Sequence, residues 1–111
     1  MQYHPTVEKI KTLLASNNTW FETFEHKPVR TSEEAAKLRT GYTQQQGAKA
    51  LIVRIKKKDG AKEFVMIVLP GDKRFDNEKA KEVLGAKDIR FATEEEISEI
   101  TQGIEIGGIP P

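Results

Sequence analysis

The sequence predicts an α/β (α+β-like) domain: a mixed central sheet with helices packed on it. Three observations lead there. Helical and strand signals follow one another in the order α, β, α, β, β, α, β, α. An Asp59-Gly60 turn joins two strongly apolar segments, a strong hairpin signal. The composition, 37% hydrophobic and 32% charged, is globular, too apolar for a disordered chain and too polar for a membrane protein. At 111 residues the chain is expected to form one domain over 1–111.

Pro5 suits the first turn of a helix, and Val7, Ile10, Leu13 and Leu14 then recur at helical spacing, so a helix is expected over about 5 to 16. Asn17-Asn18 ends it. WFETFEH alternates Trp20, Glu22 and Phe24 against Phe21, Thr23 and Glu25, which reads as a short strand broken by Pro28. TSEEAAKLR opens with a capping-box pattern, Thr31 and Glu34, and predicts a helix over about 32 to 39. GYTQQQG is a polar loop. Strands follow over about 48 to 56 and 62 to 69. The second, EFVMIVLP, is apolar on both sides and is expected to be central and covered on both. Asp76 can cap a helix over about 77 to 84 that Gly85 terminates. A strand over about 88 to 91 precedes a second capping box, Thr93 and Glu96, whose helix ends near Gly103. The closing GGIPP is loop chemistry, and the expectation is that the natural domain continues with further strands beyond it.

Several chemistries lack their residues. There is no cysteine, hence no disulfide, thiol nucleophile or cysteine metal ligand from this chain. His4 and His26 have no metal-binding spacing. His4 reads as a solvated tail residue, and His26, at a strand end, as a surface or packing residue before a general base. GYTQQQGAK is no P-loop, and no G-x-G-x-x-G or G-x-S-x-G occurs. No metal or cofactor is expected. The longest apolar run is far too short to span a bilayer, so no membrane partner is expected. No secretory leader is evident, and a cytoplasmic location fits.

Net charge is +1, so bulk charge implies no nucleic-acid partner. The cations do cluster, however, at Arg54, Lys56, Lys57, Lys58 and Lys62, and again at Lys73-Arg74. A solvated hairpin tip is the ordinary explanation for the first cluster. The carboxylates of Glu33-Glu34 and Glu94 to Glu96 fall in first helical turns, where the helix dipole favours them. Two features are less ordinary. In GAKALIVRI, Lys49 shares a strand face with Leu51, Val53 and Ile55. Either its ammonium snorkels to water from the strand end, or something anionic meets it there. Gly107-Gly108 permits close backbone approach while Pro110-Pro111 stiffens the chain just beyond, a way to aim N–H groups at a developing oxyanion.

Together, FEHKPVRTSEEAAKLR, GAKALIVR, FVMIVLPGDKRFD, LGAKDIRFATEEE and GGIPP resemble, in order and spacing, the YbaK family, also called the prolyl-tRNA synthetase associated domain. The resemblance implies hydrolysis of mischarged aminoacyl-tRNA by placement of substrate and water, without a side-chain nucleophile. It implies that Lys49 engages the phosphate of the tRNA's terminal adenosine. It places a G-x-x-x-P motif on Gly107 to Pro111, with Gly108 and Ile109 between, as a backbone platform for the ester. Phe24, His26 and Thr31 are weaker candidates for lining the pocket. The implied partners are the aminoacyl-tRNA 3′ end and an aminoacyl-tRNA synthetase. The alternative is a module without catalysis that docks on tRNA or on a synthetase through its basic patches.

Overall fold

The hairpin at Asp59-Gly60 organises the sheet. Gly60 adopts φ +91, the Lys57 N–H donates to the Ala61 carbonyl at 2.7 Å, and the Asp59 carboxylate accepts from the Ala61 N–H at 2.9 Å. A positive φ is accessible to glycine without strain, which is why the turn closes here. The computed structural model describes residues 3–25, 27, 31–38, 41–105 and 108–111. Among them the elements run α1 (Thr6–Ser16), α2 (Ser32–Leu38), a 3₁₀ turn (Gln44–Gln46), β1 (Ala48–Lys57), β2 (Lys62–Pro70), α3 (Asn77–Leu84), β3 (Ala86–Phe91) and α4 (Glu94–Thr101).

The α/β reading holds. The sheet has the order β2-β1-β3, and both pairings are antiparallel. The hairpin forces β2 against one edge of β1. The other edge takes β3, which sets Ile89 opposite Ile55. β1 is thus the central strand and β2 an edge strand, not the central strand expected from its apolar residues. One face of the sheet carries Val53, Ile55 and Ile89, packed with Val65, Ile67, Phe75 and, from α3, Ala80 and Leu84. Val53 is 0% exposed and Ile55 1%. The opposite face has a smaller cluster, Ile52, Ala92 and Ile97 of α4, with Ile109 against it. On that second face β2 is open: Phe64, Met66 and Val68 are 41%, 44% and 49% exposed.

Local signals place the helices. The Asp76 carboxylate accepts from the Lys79 N–H at 3.1 Å, and Gly85 ends α3 in the left-handed region at φ 62. The Thr93 hydroxyl accepts from the Glu96 N–H at 3.1 Å while the Glu96 carboxylate accepts from the Thr93 N–H at 2.9 Å, completing the capping box of α4. The Thr31 hydroxyl likewise accepts from the Glu34 N–H at 3.1 Å.

Two expectations fail here. No strand forms over Trp20–Glu25. Alternation alone does not make a strand; it needs an edge to pair with. Instead Phe24 meets the Tyr42 ring edge-on at 6.0 Å, and the Tyr42 hydroxyl donates to Glu22 at 2.7 Å. That bond holds the Tyr42 phenol above its ordinary pKa. His4 is not a solvated tail residue but half-buried. Its Nδ1 accepts from the Thr6 N–H at 3.2 Å and its Nε2 lies 3.0 Å from the Gln102 carbonyl, so an Nε2–H tautomer ties the start of α1 to the end of α4.

Candidate functional site

β3 leaves β1 early. Its last paired residue is Phe91, opposite Val53, and the Ala92 N–H then donates to the Ile52 carbonyl at 3.0 Å. Residues 48–51 of β1 extend beyond β3, and a cavity of about 530 Å³ lies over them. That volume is typical of a small-ligand site. Its walls come from four directions. β1 supplies Ala48 to Ile52, α2 supplies Ala35 and Ala36, α4 supplies Ile97, and the closing segment supplies Ile109. Thr31, Glu33, Thr43, Gln44, Gly47, Gly71, Phe91 and Ala92 complete the lining.

Lys49 is half-buried at this cavity. Its Nζ donates to the Lys73 carbonyl at 2.7 Å, and among the described residues no carboxylate meets it. The bond orients the ammonium without neutralising it. The turn that carries the Lys73 carbonyl is itself fixed: the Gln44 side-chain amide donates to the Gly71 carbonyl at 3.1 Å, and the Gly71 N–H to the Gly47 carbonyl at 2.7 Å. The Thr43 N–H donates to the Gln46 side chain at 2.7 Å, which holds the 3₁₀ turn that presents Gln44.

The residues singled out from sequence fall into three groups. Lys49, Thr31 and Ile109 border one cavity. Phe24, Gly108 and Pro111 are outside its lining. The Gly108 N–H donates to the Glu105 carbonyl at 3.0 Å, and a Cβ there would meet that oxygen at 3.4 Å. Phe24 packs on Tyr42 instead. His26 and Gly107 lie outside the described residues. Sequence reasoning missed Gln44 and the Lys73 carbonyl. The available signal was Thr43-x-x-Gln46, a capping pattern inside what reads as a plain polar loop.

The hydroxyls that line the cavity among the described residues are engaged. The Thr31 hydroxyl caps α2 and donates to Glu34 at 3.0 Å, and the Thr43 hydroxyl donates to Gln46 at 3.2 Å. Among the described residues no histidine lines the cavity, and no group of three or more metal-ligating residues occurs. Beside the site, Glu96 accepts both arms of Arg90, at 2.8 and 3.0 Å. Hydrogen bonds from that guanidinium, then from the Thr93 backbone, lower its carboxyl from 4.5 to about 2. This pair fixes α4, and through it Ile97, against the end of β3. No helix among the described residues is long and apolar enough to cross a membrane.

Comparison with known proteins agrees with this fold. The family model of the aminoacyl-tRNA editing domain matches residues 26–111. The proline–tRNA ligase of Halalkalibacterium halodurans is 49% identical over 49 residues, which cover 44% of this chain and 8% of the ligase. The crystal structure of the hypothetical protein APE2540 superposes with a TM-score of 0.71 at 32% identity, over 93% of this chain and 65% of that one. The chain therefore spans a small part of the ligase and about two thirds of the structural neighbour. With the family model matched over most of its length, this chain belongs to the aminoacyl-tRNA editing domain family.

Proposed function

We propose that this domain hydrolyses the ester of mischarged aminoacyl-tRNA, releasing the amino acid from the RNA 3′ end in the cytoplasm, with an aminoacyl-tRNA synthetase as a partner. The observation that carries the reading is the shared cavity: the unneutralised Lys49 ammonium and Ile109 border the same space. In this mechanism Lys49 holds the phosphate of the terminal adenosine. A charge-assisted contact of that kind contributes about 1.5–3 kcal/mol. The aminoacyl group lies toward Ile109, Ala92 and Ile97. Water adds to the ester carbonyl, and the bond to the ribose oxygen breaks with that oxygen leaving as the 3′ hydroxyl. The Thr31 and Thr43 hydroxyls are already bonded, so catalysis falls to placement. Placement can supply about 7–11 kcal/mol of a barrier, and a well-aimed oxyanion donor about 3 more. Gly107 and Gly108 are the proposed platform; the Gly108 N–H serves only once it leaves the Glu105 carbonyl.

The same engaged donors favour the second reading, a module that binds a charged RNA end, or a synthetase, without cutting. Incubation with a panel of mischarged tRNAs separates the two. Release of free amino acid, slowed about ten- to a hundredfold in Lys49→Ala, supports hydrolysis. Saturable binding with no release across the panel supports the module and rejects the enzyme.

A further inference from the structure

Register places Arg54 of β1 directly opposite Arg90 of β3. Like charges at such a position repel, with Cβ atoms about 4.5–5.5 Å apart. Arg90 is neutralised by Glu96, but Arg54 has no acid of its own: no salt bridge or side-chain hydrogen bond of Arg54 occurs among the described residues. Its Nε is sealed from solvent without a hydrogen-bond partner. Buried polar atoms are nearly always satisfied, and an orphan of this kind asks for an explanation. The surroundings add positive charge. On the same face lie Lys56 of β1 and, opposite it, Lys62 of β2, with Asp88 of β3 the acid across from Lys56. Between residues 54 and 63 five cations face two carboxylates, in a chain whose net charge is +1. One of those carboxylates, Glu63, is already held by Lys57 at 3.3 Å.

The position relative to the cavity selects the anion. Ala50 and Ile52 line the cavity, and Arg54 is the next residue on that face of β1, followed by Lys56. Arg54 lies roughly 16 Å along the strand from Lys49, at ~3.3 Å per residue. The two Nη groups of Arg54 are not sealed in this way and form a fork that matches a phosphate, so an anion held there screens Arg54 from Arg90 while Nε stays within the sheet face. We infer that Arg54, supported by Lys56 and Lys62, is a second phosphate-binding point for the RNA strand whose 3′ end enters the cavity at Lys49. The inference rests on the reading of the cavity as an RNA-end site. It adds a contact on the opposite side of the strand, outside the cavity.

The test is binding of fluorescent, uncharged RNA to the full chain by anisotropy across a salt series. Two probes are used: an acceptor-stem minihelix with a single-stranded 3′ end, and a 3′-terminal dinucleotide. Arg54→Gln is expected to weaken the minihelix about tenfold and to lower its salt slope by about one. It leaves the dinucleotide unchanged, and Arg54→Lys restores part of the loss. Lys49→Ala weakens both probes. Unchanged minihelix affinity and slope in Arg54→Gln would overturn the inference, as would an equal loss on both probes. Inorganic phosphate binding at Arg54 without any effect of Arg54→Gln on the minihelix would reassign the point to a free ion. Thermal melting of Arg54→Gln should be unchanged or higher, because a like-charge pair is removed. If it falls instead, the double variant Lys56→Gln/Lys62→Gln decides by the same two probes. Failure of wild-type protein to bind either probe sinks the cavity reading itself, an outcome distinct from insensitivity at Arg54.

Discussion

The two faces of the β1–β2 ribbon have similar apolar residues and opposite fates. Under α3, Val53 and Ile55 are fully enclosed, with Val65 and Ile67 beside them. On the other face Phe64, Met66 and Val68 stay open, α4 reaching only as far as Ile52 and Ala92. The difference teaches that apolar content decides what a strand can bury, while the placement of helices decides what it does bury. It also divides the labour. The enclosed face holds the sheet together and reaches the cavity only at its end, through Lys49 and Leu51, while the half-covered face brings Ile52 to the cavity and carries Arg54, unpaired among the described residues.

The largest test of that division is Ile55→Ala. It should destabilise the domain by about 2–5 kcal/mol, read as a fall in the urea midpoint. A loss no greater than that of Met66→Ala would erase the distinction between the faces. Next is Lys49→Ala. It should cost no more than about 1 kcal/mol of stability, the net contribution of its hydrogen bond to the Lys73 carbonyl. Amino-acid release should nonetheless fall about ten- to a hundredfold, the equivalent of one charge-assisted contact. A large parallel loss of stability would show that Lys49 serves the fold rather than the cavity. Thr93→Ala comes third, at about 1 kcal/mol for a lost helix cap, and should loosen Ile97 at the cavity wall.

Acid provides a gentler probe of the half-covered face. The Glu96 carboxyl is depressed from 4.5 to about 2 by Arg90 and by the Thr93 backbone. A depressed carboxyl stabilises the fold fully above its unfolded value, and the contribution disappears as pH falls from about 4.5 through about 2. Glu96→Gln should therefore flatten the acid limb of a stability–pH curve over that window and leave the slope near neutrality alone. The smallest effect expected is that of Met66→Ala, within about 0.5 kcal/mol in the same urea series.

Much of this was legible in advance, for reasons that differ by residue. Asp59-Gly60, Asp76 with Gly85, and Thr93 with Glu96 announce themselves because each turn or cap is satisfied within a few residues. The edge position of β2 was not legible, since Phe64, Met66 and Val68 look like core in any one-dimensional pattern. Trp20 to Glu25 alternate as a strand does, but no free edge reaches them. At the site, Lys49, Thr31 and Ile109 were named chiefly through family resemblance, and they do meet at one cavity. Gln44 escaped because its partner, the Gly71 carbonyl, is 27 residues away. Arg54 escaped for a related reason: facing Arg90 is a matter of strand register, which composition does not encode.

The Lys73 carbonyl acts on Lys49 as a tether that leaves the charge intact. One ammonium proton is given over to it, and two remain for an incoming ligand. Had a carboxylate held the amine, every arriving anion would have had to displace a competitor of its own sign. A neutral dipole removes that contest. The flexible side chain is ordered before the ligand arrives, so part of the entropic penalty of capture is met during folding. The domain thus waits with its positive field already aimed, and capture should be quickest in dilute buffer and slow as ionic strength rises.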